Sequence, residues 1–259
     1  MLISNLPDRV FSRTYNTSFK NNIAMMMAKG SEFISDDASV TELKFNRSTG
    51  QNILSIGANP STFTWPDGHK ASAERLTDVL PSYRAALQYS KQNHATNRLE
   101  PTRENVIRSL DHQGVCIKSF AQVNLFSQRT VNNQILKAIA ESASDDELEQ
   151  TTSITANMLQ VYLMDGVGSF FNPDLIFLGW GAALGDNILA KPRFEKYREK
   201  LYELLEPHFD KLMCMKLSET MQPYHPSSSA YRVVPLSTLI RRDQFAEMFH
   251  LDRLQNKKQ

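Results

Sequence analysis

Cysteine is scarce: Cys116 and Cys214 are the only two in 259 residues. That count excludes a disulfide framework, a four-cysteine zinc site and a four-cysteine iron–sulfur cluster, and no metal or other cofactor is expected. Long apolar runs are missing too. No stretch approaches the roughly 20 consecutive apolar residues of a membrane span. Met1 to Ser12 holds Pro7 and Asp8 where a secretory leader would need apolar residues, so a cytoplasmic protein with no membrane partner is expected. Neither sign of charge dominates, since 29 Lys and Arg face 28 Asp and Glu. Near-neutrality does not exclude nucleic acid, because a local cationic face is what matters there. Arg84, Lys91, Arg98, Arg103 and Arg108 against Glu100 and Glu104 give one mild basic bias, which a solvated helix face and loop also explains.

What is present suits a globular protein with one sizeable core: 41% hydrophobic and 22% charged residues, with a mean hydropathy of −0.40. Four short apolar runs stand out at Asn52 to Ile56, Phe120 to Leu125, Leu175 to Leu178 and Leu212 to Leu217. Their near-continuous apolarity predicts buried strands of a parallel sheet covered on both faces. Helical patterns lie between and around them. Ser72 to Ser90 carries a helical stripe interrupted by Pro81, Asn132 to Ala143 and Asp145 to Met164 read as helices, and Phe194, Tyr197, Leu201, Leu204 and Leu205 mark another after Pro192. Asp243 to Leu254 reads as a terminal helix. The alternation predicts a three-layer α/β/α domain on a central, mainly parallel four-stranded sheet, spanning residues 51–259. Residues 1–50 read as an N-terminal extension or cap, with a strand at Thr41 to Phe45 and a short helix within Phe11 to Met27. A monomer is expected.

Four polar signatures follow the four predicted strands: Gly57-Ala58-Asn59-Pro60-Ser61-Thr62, Val123-Asn124-Leu125-Phe126, Leu178-Gly179-Trp180-Gly181, and His225-Pro226-Ser227-Ser228-Ser229-Ala230-Tyr231-Arg232. In a parallel sheet these converge on the edge where ligands bind. Taken singly, each has a plainer reading: a turn, a strand-end asparagine pairing with backbone, a core tryptophan, a turn histidine. As an ordered series they resemble the uracil-DNA glycosylase superfamily, and more closely an uncharacterised bacterial and phage family with an Asn-Pro-Ser-Thr first motif. The resemblance spans about Asn52 to Arg232.

That resemblance implies a uracil-DNA glycosylase-like fold and hydrolysis of an N-glycosidic bond in DNA, on single strands or on a nucleotide flipped from a duplex. His225 would meet the negative charge developing on the leaving base. Asn59 would place the attacking water, Asn124 would read the base edge, and Phe63 or Trp65 would stack on it. Ser61, Thr62, Ser227 and Ser228 would hold flanking phosphates, with Arg232 as a charged clamp. Two departures narrow the substrate. Asn59 stands where uracil-specific members carry an aspartate, and an amide cannot take up a proton near neutral pH, which leaves Asp67 as a candidate base. The loop after His225 also lacks the wedging leucine that fills the gap left by a flipped base; either Tyr231 or Arg232 fills it, or the substrate is a single strand or a base that leaves the stack easily. Both departures point to a modified pyrimidine, met in repair or in defence against phages with altered bases. The competing readings are a catalytically silent nucleic-acid-binding module of the same fold and an N-glycosidase of free nucleosides or nucleotides.

Overall fold

The computed structural model describes residues 40–44, 49–59, 72–77, 101–128, 130, 132–164, 171–226 and 238–249. The helix expected within Phe11 to Met27 lies outside them, as does most of the Ser72 to Ser90 stripe, of which residues 72–77 form bends and a turn. The strands are β1 (Val40–Lys44), β2 (Gln51–Gly57), β3 (Ile117–Asn124), β4 (Leu175–Gly179), β5 (Leu212–Cys214) and β6 (Thr238–Leu239). The α-helices are α1 (Pro101–His112), α2 (Asn133–Ser142), α3 (Asp145–Leu163), the single turn α4 (Ala182–Leu184), α5 (Glu195–Leu205) and α6 (Arg242–Met248).

The protein is of the α/β class, and its sheet is mixed, in the order β1-β3-β2-β4-β5-β6. Among the described residues the sheet has six strands where four were expected. β3, β2, β4 and β5 are joined by parallel pairings, while β1 and β6 close the two edges antiparallel. Part of the N-terminal fifty residues is therefore an edge strand of the sheet itself, with Val40 opposite Val123 and Lys44 opposite Ser119. The fourth predicted strand is shorter than its apolar run. It ends at Cys214, and Leu217 bridges instead to Pro223 across a turn in which Met221 adopts φ 56°.

The order of the inner strands dictates where the helices go. The chain steps from β2 to β3 in one direction, then passes back across β2 to reach β4 and β5. Right-handed crossovers that run in opposite directions along a sheet fall on opposite faces. Accordingly, among the described residues, α1 is the helix on one face, where Val106, Ile107 and Leu110 meet Ile53, Phe120, Phe177 and Met213. Residues of α2, α3, α5 and α6 share the other face with Leu54, Ile56, Ala121, Val123, Ile176, Leu178 and Leu212. Successive strand residues alternate between these two cores, as the two-residue period of a strand requires.

Local chemistry sets the helix boundaries. Asn132 caps α2 by accepting from the Ile135 N–H at 3.0 Å. Ser144 and Glu147 form a reciprocal capping box at the start of α3, followed by an acidic first turn of Asp145, Asp146 and Glu147. Arg193 donates to the carbonyls of Ala140, Glu141 and Ala143 and so closes the end of α2. The buried Arg198 donates to the Leu189 and Lys191 carbonyls, holding the π-helical turn Gly185–Leu189 that leads out of the Trp-Gly motif. On α6, Phe245 and Phe249 join Tyr202 in a cluster with ring centroids 5.1–5.9 Å apart.

The capping box yields a stability prediction. Bonds from the Ser144 backbone, then Arg75, then the Ser144 hydroxyl hold the Glu147 carboxyl below the ordinary carboxylate range. A lowered folded pKa adds stability that is present above the unfolded value and is lost as pH falls through the folded one. Ser144→Ala is expected to lower unfolding free energy by about 1 kcal/mol at neutral pH. The deficit should shrink in acid, as read from urea titrations at several pH values.

Candidate functional site

The carboxyl ends of three neighbouring parallel strands stand in register. Gly57 of β2 lies opposite Asn124 of β3 on one side and Gly179 of β4 on the other. β2 and β4 are the pair at which the chain order reverses. This is the switch point where parallel α/β sheets bind ligands. By the alternation, Ser55, Gly57, Gln122, Asn124 and Gly179 all fall on the α1 face, above Ile53, Phe120 and Phe177. That face changes from hydrocarbon to polar groups within two residues of the strand ends.

The glycines are required there by contact. A Cβ on Gly57 would collide with Asn124 Oδ1 and would lie 3.2 Å from Gln122 Nε2. The two amides thus rest directly on the β2 backbone, and Gln122 Nε2 donates to Asn124 Oδ1 at 3.1 Å. Asn124 is 3% exposed and Gln122 6%. Gln122 Oε1 is buried without a hydrogen-bond partner, an arrangement that costs roughly 1–3 kcal/mol where an apolar side chain would cost nothing.

A Cβ on Gly179 would stand 2.9 Å from both Cγ and Cδ of Pro226, so the His-Pro turn packs on the end of β4. Asn105 of α1 donates to the Pro226 carbonyl at 2.8 Å and ties that turn to the helix over the α1 face. Gly181, at φ +91°, has the His225 Cβ 3.1 Å from where its own Cβ would be. His225 is half-buried. The resulting order along the sheet edge is Asn124, Gly57, Gly179 and then the His225-Pro226 turn. Beside it, Lys216 holds its ammonium 5.5 Å from the Tyr224 ring centroid, and its carbonyl accepts from the Tyr224 N–H at 2.9 Å.

Asn59 follows β2 and faces the loop after β3. Its Nδ2 donates to the Gln128 carbonyl at 3.0 Å and to Thr130 Oγ1 at 2.9 Å. Main-chain bonds from Leu125 to Gly57 and from Phe126 to Ala58 extend the same pairing past the strand ends. Trp180 is a core residue at 1% exposure. Its Nε1 donates to Gln222 Oε1 at 3.2 Å, and Gln222 Nε2 in turn donates to the Met248 carbonyl at 2.7 Å. The Cys214 thiol is pushed up to about 12 by burial and stays protonated at neutral pH, so it serves packing. Among the described residues, no group of three or more His, Cys, Asp or Glu side chains is placed to hold a metal ion, and no helix is long and apolar enough to cross a membrane.

Ser61, Thr62, Phe63, Trp65, Asp67, Ser227, Ser228, Tyr231 and Arg232 lie outside the described residues. Of the sequence candidates within them, Asn124 and the His225 turn both flank the Gly57–Gly179 pair, whereas Asn59 is bonded to the neighbouring loop. Gln122 and Asn105 were not among the candidates. Gln122 had a signal, a second polar residue two positions before Asn124 and so on the same strand face. Asn105 had none.

The fold and this edge define an α/β protein with a polar site at the switch point of a parallel sheet. Residues 86–227 match the family described as "Protein of unknown function (DUF1643)", over more than half of the chain. The chain belongs to that family. No curated protein and no solved structure matches it.

Gly179→Ala is expected to destabilise the protein by about 1–3 kcal/mol through overpacking against Pro226. It should also shift the His225 resonances in NMR spectra. An unchanged melting curve with unchanged His225 signals would mean that the turn does not rest on β4.

Proposed function

We propose that this protein hydrolyses the N-glycosidic bond of a modified pyrimidine in DNA. The observation that carries the reading is the row formed by Asn124, Gly57, Gly179 and the His225 turn along one sheet edge. It brings two residues with implied base-side roles to a single switch point, together with the glycines that let them approach the backbone. An everted base at this edge would meet the Asn124 amide, and the His225 imidazole would meet the negative charge that grows on the base as the bond breaks. The C1′–N electron pair leaves with the base, a water oxygen bonds to C1′, and the water's proton passes to solvent or to the departing base. Lys216 supplies a cation for a neighbouring phosphate. The aromatic, serine and arginine contacts from Phe63, Trp65, Ser61, Thr62, Ser227, Ser228 and Arg232 belong to this reading on the resemblance alone.

One observation favours the silent binding module as a second reading. Both amide hydrogens of Asn59 are spent on Gln128 and Thr130, so Asn59 cannot donate to a water in this arrangement. Nucleophile placement must then come from its carbonyl oxygen or from another group.

Base release from single- and double-stranded oligonucleotides carrying a panel of modified pyrimidines separates the readings. For a glycosylase, His225→Ala should slow release by about 100-fold or more while leaving the oligonucleotide Kd within about threefold, because the interaction grows with the charge of the transition state. Salt-sensitive binding without release would identify the silent module. Turnover of mononucleotides alone would identify a nucleoside or nucleotide N-glycosidase.

A further inference from the structure

We infer that Gln122 is a positioning residue that fixes the sense of the Asn124 amide, so that the strand edge prefers a pyrimidine with a 4-keto oxygen over one with a 4-amino group. The inference rests on the base-reading role proposed for Asn124.

A primary amide is nearly symmetrical in shape, and a half-turn about its last bond exchanges donor and acceptor. Which way it stands decides which base edge it complements. Gln122 Nε2 donates to Asn124 Oδ1 at 3.1 Å. Turning Asn124 over would set its amino group against the amino group of Gln122, in a place where both residues are more than nine-tenths buried. Turning both over together would restore a bond but leave the Gln122 amino group as the orphan in place of Oε1, the atom that lacks a partner now. Unpaired buried N–H groups are tolerated less than under-satisfied carbonyls. The pair therefore has one preferred joint sense, with Asn124 Oδ1 held by Gln122 and Nδ2 turned away from it.

A base bearing a 4-keto oxygen beside a ring N–H meets that amide correctly. The Nδ2 hydrogen goes to the keto oxygen, and the second lone pair of Oδ1 accepts from the ring N–H. A 4-amino base presents a donor to Nδ2 and an acceptor to Oδ1, and both contacts fail. Gly57 makes the arrangement possible, because any side chain there would strike Asn124 Oδ1. A leucine at position 122 would suit the strand as well and leave no unpaired oxygen, so the glutamine is accounted for by what it does to its neighbour.

The test uses single-stranded oligonucleotides, each with one pyrimidine, in keto and amino pairs sharing the same 5-substituent: hydrogen, methyl or hydroxymethyl. The full-length protein should release the keto member at least about 100-fold faster within the pair it turns over, in keeping with sites built around a specific hydrogen bond. In Gln122→Leu and Gln122→Met the ratio should fall below about tenfold, since the Asn124 amide then turns freely. Thermal melts establish that both variants fold, and the methionine variant keeps the length of the original side chain. Equal rates or an amino preference in the parent, or a ratio preserved in both folded variants, overturns the role of Gln122 while leaving glycosylase activity standing. If the parent releases no base, the same ratios are read as Kd values. Keto selectivity that Gln122 controls then supports the inference without catalysis, and absence of binding or of selectivity overturns it.

Discussion

A sheet covered on both faces sorts its residues strictly by parity, and every contact at the strand ends depends on that sorting. Moving any inner strand by one residue would exchange the two cores: Ile53, Phe120 and Phe177 would turn toward the α3 side, and Leu54, Val123 and Leu178 toward α1. With the register as it stands, Gly57, Asn124 and Gly179 lie side by side on one face. The apolar residues beneath them hold the register, so the core that stabilises the sheet also aligns its polar edge. The placement of that edge and the stability of the fold have one cause.

Handedness contributes the second half of the arrangement. Because the chain reverses direction between β2 and β4, the β2-to-β3 connection delivers a helix to the polar face. Among the described residues α1 is the helix that covers it, and Asn105 reaches the Pro226 carbonyl from there. Four helices crowd the opposite face with aromatic and aliphatic packing. Unpaired buried polar atoms occur on both sides of the sheet, Gln122 Oε1 toward α1 and Arg198 Nε on α5.

Much of the layered architecture was legible because it rests on short-range pattern. The parallel strands appear within a few residues of their apolar runs, and α2, α3 and α5 follow their helical stripes and caps. The parts that escaped depend on distant partners. β1 matches the strand expected at Thr41 to Phe45, but its place at the sheet edge is set by its pairing with β3, and the two residues of β6 carry no pattern. α1 has a low density of apolar residues, and Pro101 at its start reads equally as a loop. Asn124 and His225 were found as motif residues at strand ends, and Trp180 is the core aromatic that its plainer reading implied. Asn59 was assigned from its motif, but whether its hydrogens face a substrate or the Gln128 loop is decided 69 residues away. Gln122 gave a signal by sharing a strand face with Asn124, but its partner atom is known only from the fold.

Gln222 is the last connection of note. Three residues before His225, its side chain accepts from the indole of Trp180 and donates to the Met248 carbonyl. The segment bearing the histidine is consequently braced from two directions, like a strut between a wall and a beam. The position of the histidine's backbone is thereby settled when the chain folds, because the bonds that fix it are made inside the protein.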